Sequence, residues 1–131
     1  MSYPLHPSSL LKIFRSGLST FRLFASHPST KHSLVSSLRR YVFWHFSLLL
    51  CPCKRLVPFI ADTSLIAGRG LSSANSCYYF GFYEYEWMTF VSQVLRSGDL
   101  FVDCGANIGV YTIIAQALSA NTISIEPSPI A

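Results

Sequence analysis

The stretch "VDCGANIGVYT" sets an acid, Asp103, ahead of Gly105, Asn107 and Gly109 at alternate positions, and a second acid, Glu126, closes the next apolar run. These residue types hold a ligand rather than attack one. Glycine at 105 and 109 allows a sharp turn and lets a ligand approach peptide groups that any Cβ would shield. Asn107 tolerates left-handed backbone better than most residues. A helix starting just behind the turn offers amide donors and a partial positive charge. Glu126 is an acceptor-only group able to take two donors at once, which suits the paired hydroxyls of a ribose.

The surrounding residues supply elements to position that turn. "LFVDC", residues 100–104, is an apolar run suited to a strand buried on both faces. "IGVYTIIAQAL" places Val110, Ile113, Ile114 and Ala117 on one helical face, and "NTISIEP" is a second apolar strand. Strand, glycine turn, helix, strand is the opening unit of a doubly wound parallel α/β sheet, whose ligands bind beyond the carboxyl ends of the strands.

Upstream, "YEYEWMTFVSQVLRSGD" carries Trp87, Val91, Val94 and Leu95 at helical spacing, with Ser97-Gly98 as its stop. "RLVPFIADTSLIAG" reads as one or two short strands, "GRGLSSANS" as a loop and "CYYFGFY" as another strand. "SHPST" is a break whose Ser29 or Thr30 is placed to cap a helix through Leu34, Leu38 and Val42. The most apolar run, "YVFWHFSLLLCPC", is short of the roughly 20 residues that span a membrane, so it reads as a buried or interfacial helix ended by Pro52. The expected organisation is a basic, Ser-rich extension over 1–30, a helical and short-strand cap over 31–98, and the α/β domain from 99 to 131.

At 131 residues, half of them apolar and 12% charged, the chain is at most one ordinary globular domain and not a disordered one. Its net charge of +4 is uneven, because eight of the ten Lys and Arg precede Asp62, the first acid. "SSLLKIFRSGLSTFRLF" sets Leu10, Phe14, Leu18 and Phe21 near one helical face with bases elsewhere. That arm reads as a solvated basic extension, with weak membrane-surface contact or organelle targeting as the alternatives. No nucleic-acid module, spanning segment or secretory signal accompanies it, and a cytoplasmic location is expected. Cysteines 51, 53, 77 and 104 form no disulfide framework or zinc signature and read as buried or inert thiols, so no metal is expected. His27 and His32 read as loop or surface residues.

Two cofactor classes share the strand–turn–helix plan. The dinucleotide pattern G-x-G-x-x-G laid from Gly105 fails at Asn107 and Val110, which leaves a nicotinamide-dependent oxidoreductase as the weaker alternative. The pattern acid-x-Gly-x-x-x-Gly is met by Asp103, Gly105 and Gly109, and is the first motif of S-adenosylmethionine-dependent methyltransferases. Beyond it, "RSGDLFVDCGANIGVYTIIA", "SIEPSP" and "YYFGFYEYEWMTF" resemble the FkbM methyltransferase family, with its "GD-x-x-x-D-x-G-A-N-x-G" block and following "EP-x-P". The resemblance covers Tyr78 to Pro129 best.

The resemblance implies an incomplete Rossmann-like class I methyltransferase fold, of which this chain holds the first β-α-β unit behind its amino-terminal cap. It also implies methyl transfer from S-adenosylmethionine to a hydroxyl of a sugar or other small molecule. Asp103, Gly105, Asn107 and Gly109 would line the methionine and ribose side of the cofactor, and Glu126 would hold the ribose hydroxyls. Glu84 matches an acid that precedes a helix in the family and is placed to reach the site; an acid favoured at a helix start is the competing reading. The aromatics from Tyr78 to Phe90 either wall a substrate or pack against the sheet. No general base stands out. Later strands of such a sheet would cover the first two and supply the acceptor pocket, so this chain is expected to be a truncated form without turnover of its own. A non-catalytic remnant or a small membrane-surface protein is the remaining alternative.

Overall fold

The computed structural model describes residues 7–128, with side chains from Gly17 onward. Helices α1 (Pro7–Ser26) and α2 (Leu34–Leu50) are joined by a turn that is pinned to the middle of the chain. In it His27 Nε2 donates to the Tyr83 carbonyl and Ser29 Oγ to the Phe82 carbonyl, each at 2.8 Å. His27 therefore lies in a loop as expected, but half-buried and acting as a strut. Neither Ser29 nor Thr30 caps α2; the cap position falls on Ser33, whose side chain makes no cap bond, while the buried Thr30 hydroxyl donates back to the Phe24 carbonyl. The expected apolar face through Leu10 and Phe14 lies outside the described side chains, and Leu18 and Phe21 of that face are exposed. No helix among the described residues is long and apolar enough to cross a membrane.

Strands β1 (Arg55–Pro58) and β2 (Ser64–Ala67) pair antiparallel with Val57 opposite Leu65, and these two side chains turn inward with Ala67. The next segment departs from expectation, because residues 77–80 of the strand read over "CYYFGFY", together with residues 72–76 of the expected loop "GRGLSSANS", form helix α3 (Ser72–Phe80). Aromatic residues favour strands only weakly, and here packing overrides that preference. Ala74 and Cys77, three apart, are both buried on one helical face. Asn75 anchors the helix start by accepting the Gly68 amide at 3.0 Å and donating to the Gly68 carbonyl at 3.0 Å. Gly81 then ends α3 with φ +75°, a geometry costly for other residues.

Helix α4 (Tyr85–Val94) forms where helical spacing was read, but its inward residue is Met88, fully buried. Trp87 and Val94 of the expected stripe are 68% and 53% exposed, whereas Val91 and Leu95 are half-buried on the side of Met88. Strand β3 (Leu100–Cys104), helix α5 (Val110–Ala117) and strand β4 (Asn121–Ile125) follow, with β3 and β4 parallel and in register from Leu100 opposite Asn121 to Cys104 opposite Ile125. The described chain is thus a mixed α/β fold with two two-stranded sheets.

One apolar core runs from Phe24 and Trp44 through Leu65 and Cys77 to Met88, Val110 and Ile114. Phe24 stacks on Phe80 at 4.3 Å between ring centroids and meets Tyr41 edge-on at 5.4 Å. The β3–β4 sheet is not buried on both faces as its apolar runs suggested. Phe101 and Asp103 turn towards α5, whereas Leu100, Val102, Ile123 and Ile125 on the opposite face are about half exposed or more. Alternation along a strand sends neighbours to opposite faces, and among the described residues α5 covers only one of them.

Candidate functional site

The turn between β3 and α5 is built on three left-handed residues, Gly105 at φ +79°, Asn107 at +50° and Gly109 at +76°. The end of β4 is stitched into it. The Ile125 carbonyl accepts from the amides of Gly105 (2.8 Å) and Ala106 (3.1 Å), and the Ala106 carbonyl accepts from Gly109 (2.7 Å). The Glu126 carboxylate accepts the Asn107 amide on Oε2 and the Ser128 amide on Oε1, each at 2.7 Å. An ionised carboxylate has roughly four acceptor positions, so Glu126 keeps capacity for two hydroxyl donors.

Asp103 is 8% exposed, and its Oδ2 accepts both the amide (3.0 Å) and the hydroxyl (2.6 Å) of Thr112. Thr112 is the third residue of α5, where an amide has no partner within the helix. Gly109, at the cap position, has no side chain to offer, so Asp103 caps the helix from the neighbouring strand. The Thr112 hydroxyl spends its one proton on the carboxylate, and so accepts from Ser124 Oγ at 2.6 Å. Ser124, Thr112 and Asp103 form a relay that sequence reading missed. A trace of it was legible, since Ser124 stands opposite Asp103 in the parallel register and is therefore on the same sheet face.

Glu84 occupies the cap position of α4 but makes no cap bond. Its Oε2 accepts the Tyr111 hydroxyl at 2.6 Å, which ties the start of α4 to the first turn of α5. Burial, and after it the bond to Glu84, push the Tyr111 ionisation upward, so this phenol stays a proton donor across the physiological range. Tyr83 beside it is shifted in the same direction by burial.

Glu84, Asp103, Gly105 and Asn107 line a cavity of about 200 Å³, closed by Tyr83 and Ser73. Gly109 and Glu126, also expected at the site, help to build the turn but do not line this cavity. Larger hollows exist, one of about 410 Å³ between Leu56, Ile66 and Ile113 and one of about 490 Å³ along Val42, Phe43 and Phe46. Their walls are mostly aliphatic or aromatic and fix no orientation, whereas carboxylates and strained backbone converge on the smaller one. The turn amides of residues 105, 106, 107, 109 and 112 are spent inside the chain, which leaves those of Ile108, Val110 and Tyr111 for a ligand. All three residues line the cavity. Two carboxylates and three residues with unspent amides at a helix start share this cavity, a combination that suits a zwitterion.

Of the cysteines, only Cys77 is buried, and burial pushes its thiol up to about 12; Cys51, Cys53 and Cys104 are exposed, so of the thiols expected to be buried or inert only Cys77 is a buried one. No three His, Cys, Asp or Glu side chains among the described residues lie together as a metal site. No protein family, no curated protein and no solved structure matches this chain.

Proposed function

We propose that the β3–α5–β4 unit is the first half of a Rossmann-like S-adenosylmethionine site, and that the protein belongs functionally with methyltransferases acting on a hydroxyl of a sugar or other small molecule. The observation that carries this is the polar cavity at the turn. Its free amides at Ile108, Val110 and Tyr111 suit the carboxylate of the cofactor's amino-acid end, and Glu84 and Asp103 suit its ammonium. Both acids also favour a cationic ligand. A dinucleotide would instead bring its anionic pyrophosphate against two carboxylates, at a cost that rises with burial. Glu126, still able to take two donors, suits the ribose. S-adenosylmethionine, when bound, supplies a methyl group on a sulfonium that is already electrophilic. The residues of this chain then bind and orient, which in well-aligned systems contributes roughly 7–11 kcal/mol to a transfer.

The test is a thermal-shift series with S-adenosylmethionine, S-adenosylhomocysteine and NAD. Ligand at about 100 times its Kd stabilises by about 2.7 kcal/mol, so a midpoint raised by either adenosyl sulfur compound and not by NAD supports the reading. A shift with NAD alone, or with none of the three, would sink it.

A second reading, contact with a membrane surface, is favoured by α2. Its outer stripe exposes Val35 (81%), Val42, Phe43, Phe46, Leu49 (82%) and Leu50, with Arg39 among them and Arg40 to one side. An exposed apolar stripe that also carries bases suits a helix lying on anionic lipid. Flotation of the full chain with phosphatidylserine vesicles, and not with phosphatidylcholine alone, is the expected result; failure to float with either removes it.

A further inference from the structure

Cys51 and Cys53 lie just beyond the end of α2, both exposed, with their Sγ atoms 2.9 Å apart. A disulfide bond is about 2.05 Å long, so closing one here needs a movement of roughly an ångström. Pro52 between them stiffens the segment, and Cys51 has the extended backbone that a residue before proline favours, at φ −144° and ψ 97°. Arg55 completes the group. Its Nε donates to Cys53 Sγ at 3.4 Å, while its Nη atoms donate to Ser47 Oγ (3.0 Å) and to the carbonyls of Ser47 (3.1 Å) and Cys51 (2.7 Å). The guanidinium also sits over the Trp44 ring, 5.7 Å from its centroid, so its position is held by contacts that do not involve sulfur. The hydrogen bond from Cys51, and next the Arg55 guanidinium, pull the Cys53 thiol below its ordinary range. A thiolate steadied by a fixed cation, with a second thiol in contact, has both parts that thiol–disulfide exchange requires.

We propose that Cys51 and Cys53 form a redox-active dithiol that reduces a low-molecular-weight disulfide and closes into a Cys51–Cys53 bridge. The Cys53 thiolate attacks one sulfur of the substrate, whose S–S bond breaks, and the departing thiolate takes the proton that Cys53 released. Cys51 then gives up its proton, its Sγ attacks Cys53 Sγ, and the second small thiolate leaves with that proton. Two electrons pass to the substrate, which ends as two thiols, and the protein holds one new S–S bond.

The test uses the full chain and oxidised glutathione, read by intact mass and by unreduced peptide mapping. The expected product has lost two hydrogens and carries the bridge between positions 51 and 53, with Cys104 still free. Cys51→Ser should trap glutathione on Cys53, and Cys53→Ser should take up glutathione at Cys51 about tenfold more slowly. A wild-type chain that instead accumulates glutathione on Cys51, Cys53 and Cys104 alike, or that links two chains through these thiols, overturns the proposal. So does equal reactivity of the two serine variants.

Discussion

Asp103 has two duties that substitution can separate. As the cap of α5 it needs an acceptor for the Thr112 amide and hydroxyl; as a ligand group it needs its charge. Asp103→Ala removes charged hydrogen bonds at a buried site and should lower stability by about 1.5–3 kcal/mol in urea unfolding. Asp103→Asn keeps an acceptor, so it should cost less in the same assay while weakening S-adenosylmethionine about tenfold by calorimetry. Equal losses from both variants in both assays would leave Asp103 with a structural role alone. Gly105→Ala meets open space but must hold φ +79°, which should cost about 1–2 kcal/mol. Cys77 adds a pH dependence. Burial raises its thiol from 9.0 to about 12, so in that window the folded chain keeps a proton that the unfolded chain has released. Stability therefore falls as pH rises from 9, by about 1.4 kcal/mol per unit. Cys77→Ala should flatten this slope in denaturant midpoints taken between about pH 9 and 10, below the range in which the raised phenols of Tyr83 and Tyr111 add to it, and an unchanged slope there would exclude Cys77 as its source.

Among elements, α5 decides whether the site exists. Ile114 is fully buried and joins the helix to the core, so Ile114→Ala should cost about 2–5 kcal/mol and lower ligand affinity with it, as read by urea unfolding and calorimetry. The start of α4 is held to α5 through Glu84 and Tyr111. Tyr111→Phe should cost only about 1 kcal/mol, since one hydrogen bond is lost and Glu84 is exposed enough to be rehydrated. Sequence reading found α4, α5, β3 and β4 because glycine punctuation and apolar spacing agree there. It misread α3, since "CYYFGFY" is rich in strand formers and the Asn75–Gly68 clasp that sets the helix joins groups seven residues apart.

For the whole molecule, the β3–β4 sheet leaves Val102, Ile123 and Ile125 about half exposed. Such a face favours association. Ile123→Lys should reduce self-association in sedimentation while lowering the unfolding free energy by no more than about 1 kcal/mol, because about half of Ile123 is already exposed. A large loss of stability would mean that this face is covered in solution.

What the sequence determined by itself is local: the glycine turn, its acids, and the strand–helix–strand order behind it. These follow from backbone sterics and from the periods of apolar residues, both of which act between near neighbours. Tertiary structure alone decided which amides of the turn remain free, that Thr112 and Ser124 join Asp103, that Tyr111 reaches Glu84, and that Cys51 and Cys53 share Arg55. Each of these turns on how side chains and backbone meet once packed. Composition and spacing do not encode that geometry, because it depends on which faces the core draws together.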